Sequence, residues 1–127
     1  MAPPRYGHAM EEDHWHVSGL SVGQVAERMN IAPSAVRWYA DHGLLPSERT
    51  PGNQRRFHAD VLCRVAMIRA AQRVGLSIEE IREALSALTP RQAPTPEDWE
   101  RLAGRLQNHA TQRLNELSAI LHELKTA

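Results

Sequence analysis

Residues 33–57 read PSAVRWYADHGLLPSERTPGNQRRF, and the fold is decided in this stretch. Pro33 suits the first position of a helix, where a missing N–H costs nothing, and Gly43 suits the left-handed residue just past a helix end. A helix from Pro33 to about His42 is therefore expected. After the apolar pair Leu44 and Leu45, the run Pro51, Gly52 and Asn53 forms a turn between two short, arginine-bearing segments, which predicts a small hairpin. Upstream, Ser21 followed by Gln24 is a capping-box pattern, and Val22, Val25, Ala26 and Met29 recur at helical spacing. These residues predict a short first helix ending before Ile31. Two short helices joined by a tight turn and followed by a hairpin make a winged helix-turn-helix.

Downstream, a third helix is expected from about Ala59 to Val74, with Val61, Leu62, Val65, Ile68 and Ala71 turned to a core and Gly75 ending it. Ser77 with Glu80 caps a fourth, whose apolar stripe is Ile78, Ile81, Leu85 and Leu88. The segment TPRQAPTP, with three prolines in eight residues, breaks the chain before Thr95, Pro96 and Asp98 open a last helix. In that helix Leu102, Leu106, Ala110, Leu114, Leu117, Leu121 and Leu124 follow one another at steps of three and four, close to the 3.5 repeat of a coiled coil. A chain this short has no second long helix to offer, so a second copy is the expected partner, in an antiparallel coiled coil. The expected fold is mainly α, divided into a flexible tail over 1–18, a winged helix-turn-helix over 19–89, and a linker with a dimerisation helix over 90–127.

The chain has 127 residues and no net charge, which on its face argues against a polyanionic partner. The charge is unevenly spread. From Leu20 to Gly75 eight arginines face four carboxylates, a net of plus four, whereas each flank carries minus two. A basic module joined to a mildly acidic one fits a DNA reader with a separate pairing part. No apolar run is long enough for a membrane span, and the start MAPPRYGHAMEEDHWH lacks the apolar centre of a signal peptide, so a cytoplasmic location is expected. The single cysteine, Cys63, cannot complete a structural zinc or iron-sulfur site within one chain. No cofactor and no metal site is therefore evident from the residues, and no pairing of acid, base or nucleophile suggests an enzyme.

Candidate contact residues lie in two groups. On the second helix are Ser34, Arg37, Trp38 and Tyr39, types that reach phosphates and base edges when a helix N-terminus enters the major groove. Since a short helix must also bury something, Trp38 or Tyr39 competes for a core role, and Arg37 is the better contact. On the hairpin, Arg49, Asn53, Gln54, Arg55 and Arg56 crowd a small area and repel one another unless a polyanion or nearby carboxylates offset them. His8, His14 and His16 read as an incidental tail rather than a metal arm, and Cys63 as an inert thiol on an inward face.

With these residues in place, the stretch from Pro33 to Ile81 resembles the MerR family: a recognition helix, a Y-x-x-x-G-L segment, an arginine-bearing wing, and a third helix ending in R-x-G-x-S. Within it, GNQRRF and AQRVGLSIEEI are similar to the SoxR-like branch, as is the EDWERL segment before the last helix. The resemblance implies that Arg37 and Tyr39 bind phosphates, that Ser34 and Arg37 lie near the major groove, and that Asn53, Arg55 and Arg56 hold the flanking backbone. It further implies a homodimer on an inverted-repeat promoter that bends and untwists an overlong spacer in response to an effector, redox or small molecule, and so acts on RNA polymerase through the DNA. SoxR-like proteins carry four cysteines for a [2Fe-2S] centre just after the dimer helix, where this sequence ends at Ala127. Cys63 stands where they have an arginine near the cluster, and Trp99 matches a tryptophan beside it, so these two mark the expected sensor neighbourhood. A different sensor, or a chain cut before its cysteines, are the two expectations. The alternative to an effector-driven regulator is an effector-free architectural or excisionase-like DNA binder.

Overall fold

In the computed structural model, which describes residues 19–127, the elements run α1 (Val22–Met29), α2 (Pro33–Asp41), β1 (Glu48–Arg49), β2 (Arg55–Arg56), α3 (Val61–Val74), α4 (Ile78–Leu85) and α5 (Pro96–Thr126). The tail expected over 1–18, with His8, His14 and His16, lies outside the described residues. Helix starts follow the capping chemistry. Ser21, Ser77 and Thr95 each accept from the backbone N–H three residues on, while Gln24, Glu80 and Asp98 reach back to the cap N–H. Hydrogen bonds from the Ser77 backbone and side chain hold the Glu80 carboxyl below its ordinary range, and the Thr95 backbone with Arg101 does the same for Asp98. A carboxylate with a depressed folded-state pKa stabilises above its unfolded value and loses that contribution as pH falls through the folded one. These caps are therefore intact at neutral pH and weaken only in acid.

Helix ends are as local. Asn30 takes the left-handed conformation (φ 56°) after α1, its N–H on the Ala26 and Glu27 carbonyls, and Gly75 takes it (φ 100°) after α3. Helix α3 starts at Val61 rather than near Ala59, because residues 58–62 are joined by turn bonds from Val61 N–H to the His58 carbonyl and from Leu62 N–H to the Ala59 carbonyl.

Strands β1 and β2 pair antiparallel with Glu48 opposite Arg56 and Arg49 opposite Arg55. The base of this wing is pinned at Phe57. Its N–H donates to the Leu20 carbonyl (2.8 Å), and the Leu20 N–H donates back to Phe57 (2.9 Å). Phe57 is fully buried with Val25, Val36, Val61, Val65, Met67, Ile68 and Ile81, so one core joins α1, α2, the wing, α3 and α4.

Leu102 belongs to that same core, 5% exposed, and Leu106 packs against it. This corrects the expectation that Leu102 faces a partner copy, and Leu106 is half-buried on its own chain as well: the first three turns of α5 pack on that chain, with Arg105 reaching Glu83 of α4, so the apolar spacing spans two different surfaces. Beyond Ala110, which is half-buried, every residue of α5 is exposed, including Leu114, Leu117, Ile120, Leu121 and Leu124. Of the described residues, no helix is long and apolar enough to cross a membrane.

Candidate nucleic-acid interface

Helix α2 presents Ser34, Arg37, Trp38 and Asp41 at i, i+3, i+4 and i+7, one face by the helical repeat, and all four are exposed. Val36 and Tyr39 point the other way, into the core. Tyr39 is 6% exposed and its hydroxyl donates to Gln72 Oε1 on α3 at 2.8 Å. Burial pushes the phenol up while nearby Arg69 pulls it down, so the hydroxyl keeps its proton. With that proton committed to Gln72, Tyr39 has no donor for a phosphate unless the bond is broken. The tyrosine is the core member of the Trp38–Tyr39 pair, and the phosphate role implied for it is not the arrangement seen.

Trp38 is 43% exposed and is steadied from outside the core. The His42 ring stacks on it with centroids 3.8 Å apart at 29°, and His42 Nδ1 lies 2.8 Å from the Trp38 carbonyl. Because a carbonyl only accepts, Nδ1 is the protonated nitrogen of His42. The His42 carbonyl in turn accepts from Arg82 Nη2 of α4 at 2.7 Å, which anchors the C-terminal end of the reading helix.

Wing geometry brings the second group to the first. The hairpin closes with Thr50 N–H on the Gln54 carbonyl and Asn53 N–H on the Thr50 carbonyl, with Asn53 left-handed at φ 65°. Arg49 Nη1 donates to the Asn53 carbonyl at 3.0 Å. Arg55 crosses to α2 and pairs with Asp41, Nη2 to Oδ1 at 2.7 Å. On the other side Glu48 pairs with Arg91 of the linker before α5. Between wing, reading helix and the start of α1 lies an open cleft of about 270 Å3, lined by Ser21, Val22, Gly23, Arg37, Arg49, Gln54, Arg55 and Arg56. Four guanidinium groups stand beside the N-terminal turn of α1, a concentration of positive charge and N–H donors chemically suited to phosphate oxygens. Asn53 and Gln54 are exposed at the wing tip and beside the cleft.

Of the eight arginines counted in the basic module, four line this cleft, and one of the others is turned into the interior. Arg64, on α3, is 5% exposed and its Nη2 donates to the Thr89 carbonyl at 3.0 Å, fastening the linker to the core. Burial lowers its pKa, with Asp60 and Asp98 opposing the shift. An apolar position would suit the α3 stripe equally well, so no pattern in the sequence marks this arginine as structural. Arg64→Ala is expected to cost about 1–3 kcal/mol, since a charged donor and a carbonyl lose each other in the interior. Urea denaturation should register that loss, while the salt dependence of DNA binding stays at the wild-type slope; a shallower slope would place Arg64 on the DNA surface instead.

The expected sensor neighbourhood is a half-buried Cys63 on α3 and an exposed Trp99 in the first turn of α5. Burial, then the Asp60 charge, pushes the Cys63 thiol up, which keeps it protonated and weakly nucleophilic. One such thiol is not the donor set of an iron-sulfur centre, which takes several thiolates.

Known proteins similar to this chain in sequence and fold belong to one family. The model of the MerR HTH family regulatory proteins matches residues 20–88, and a second, described as MerR, DNA binding, matches residues 62–127. The HTH-type transcriptional activator SoxR homolog of Chromobacterium violaceum is 34% identical over 107 residues, covering 84% of this chain and 72% of that protein. The regulator ZntR of Escherichia coli K12 is 31% identical over 106 residues, covering 83% and 70%. Among solved structures, HiNmlR, a MerR family regulator lacking the sensor domain and bound to promoter DNA, superposes with a TM-score of 0.53 at 23% identity over 84% of each chain. A MerR family regulator from Listeria monocytogenes gives 0.57 at 24% identity, over 85% of this chain and 82% of that one. The winged helix-turn-helix with its arginine-lined cleft, matched by the family description across residues 20–88, places the chain in the MerR family of helix-turn-helix regulators, as a DNA-binding transcriptional regulator of that type.

Proposed function

We propose that the chain acts as a homodimer on an inverted-repeat promoter site and couples an effector state to distortion of the DNA between its half-sites. The observation that carries this reading is the outer part of α5, where Leu114, Leu117, Ile120, Leu121 and Leu124 stand exposed, none of them in the core formed by the described residues. Apolar residues at steps of three and four along an exposed helix fit a paired helix. A second copy related by a two-fold axis would supply a second cleft, and with it a second half-site one helical turn of DNA away. The relatives named above are regulators of transcription, which supports promoter DNA as the substrate and RNA polymerase as the indirect beneficiary.

In this reading Arg37, Arg49, Arg55 and Arg56 neutralise phosphates, Ser34 and Trp38 face the groove, and Asn53 and Gln54 position the wing. Bending a site of this size costs about 1–6 kcal/mol, so an effector acts by making one dimer geometry repay that cost better than another. The described residues offer one thiol per chain, Cys63, against the several thiolates that an iron-sulfur centre takes. A cytoplasmic setting follows from the substrate proposed.

The test is a salt titration of binding to a selected promoter duplex. Each phosphate neutralised contributes about −0.9 to the slope of log K against log salt, so Arg37→Ala, removed once from each protomer, should flatten the slope by roughly 2. A slope near zero for the wild-type chain would end the proposal.

A further inference from the structure

We propose that Asp41 is a positioning residue for DNA binding, its carboxylate holding Arg55 in the cleft between reading helix and wing. The inference rests on the DNA-binding reading above and adds a negative residue to a surface otherwise explained by its arginines. Three observations meet at this pair. Arg55 stands directly opposite Arg49 across the wing, a like-charge pair that destabilises a two-stranded ribbon. Arg37 and Arg56 line the same cleft and add to the repulsion. And Asp41 is the last residue of α2, where the helix dipole disfavours an acid and where no basic residue of the last turn offsets it.

The ion pair explains the acid and relieves the arginines. Asp41 Oδ1 accepts from Arg55 Nη2 at 2.7 Å, with the Arg55 side chain 16% exposed and that of Asp41 59% exposed. The guanidinium is thus packed and aimed, while the carboxylate remains at the rim. A guanidinium carries five N–H donors in a rigid fork, so one bond to Asp41 leaves the group able to meet a phosphate at the same time. On the opposite side of the wing, the Glu48–Arg91 pair ties β1 to the linker. Of these two pairs, Asp41–Arg55 ties the wing to α2, and that spacing sets which phosphates the two elements reach at once.

The sign of the effect separates positioning from bulk electrostatics. Removing a negative charge beside a DNA site strengthens binding if charge alone matters. A positioning residue gives the opposite result. The experiment uses the full chain, a duplex recovered by the wild-type protein from a randomised library, and a mixed-sequence duplex of equal length, read by fluorescence anisotropy. Asp41→Asn is expected to bind the selected duplex about three- to tenfold more weakly, and the mixed duplex as tightly as wild type or more so. Asp41→Glu should restore the selected binding. In the Arg55→Ala background, Asp41→Asn should cost nothing further, because its effect passes through Arg55. Equal or tighter binding of Asp41→Asn to the selected duplex, with Arg55→Ala still weakened, would overturn the inference and leave the DNA-binding reading intact. So would additive losses in the double variant. A wild-type chain that recovers no duplex would overturn both. Urea midpoints measured alongside show whether the Asn variant keeps its fold, and if it does not, Asp41→Ser carries the same test with the same expected loss.

Discussion

Phe57→Ala is expected to lower the stability of the DNA-binding unit by about 3–5 kcal/mol, the usual cost of truncating a buried phenyl. The ring is fully buried, and its backbone carries the reciprocal hydrogen bonds to Leu20 that close the wing onto the start of α1. Removing it opens a cavity where α1, the wing and α3 converge, so little of the surrounding structure can collapse into the space. A small domain holds about 5 kcal/mol or somewhat more against unfolding, and this loss consumes most of it. Urea denaturation followed by circular dichroism should show a midpoint displaced far below wild type, with a population already unfolded in buffer. Arg37→Ala, at an exposed site on α2, is the matched control and should fall within about 0.5 kcal/mol of wild type. A Phe57→Ala midpoint close to that control would mean that the wing is not part of the cooperative core. Loss of DNA binding by Phe57→Ala would then require another cause.

The fold was legible in the sequence wherever a local rule decided it. The caps at Ser21, Ser77 and Thr95, the stop at Gly75 and the hairpin at Gly52 and Asn53 are each set by a few adjacent residues, and the structure places each there. The arginine cleft was legible as a cluster but not as a shape. Arg64 shows why: its charge counts in any tally, yet only the tertiary path of the linker past α3 makes it an interior donor to Thr89. Tyr39 is the same lesson at one residue's distance, since helical spacing alone does not say whether 38 or 39 faces the core, and Gln72 lies 33 positions away. Asp41 escaped notice because its partner is 14 residues on, across the hairpin. Periodicity misled only in α5. The apolar repeat runs unbroken from Leu102 to Leu124, but its start is packed in the chain's own core and, among the described residues, its end is exposed.

That division of α5 makes the pairing face small and therefore vulnerable. The double variant Leu117→Glu, Leu121→Glu is expected to run as a monomer on a sizing column at micromolar concentration and to bind an inverted-repeat duplex 10²- to 10⁴-fold more weakly, the range over which linking two sites raises affinity. The argument begins with the helix itself. Residues 111–126 are all exposed, and an isolated helical segment of that length is marginal in water. What holds it must be packing against another surface, and the residues able to pack are Leu114, Leu117, Ile120, Leu121 and Leu124. Glutamates at 117 and 121 place four carboxylates, two from each copy, within one apolar seam that already has Glu116 and Glu123 beside it. Their desolvation and mutual repulsion far exceed what the remaining leucines recover. The unpaired end of α5 should then fray, so helical ellipticity falls, while the core around Phe57 and Leu102 keeps its urea midpoint. Binding to a single half-site should change little, because the cleft itself is untouched. A dimeric double variant with undiminished affinity would show that the outer half of α5 is not the pairing surface, and would move dimerisation to another face of the molecule.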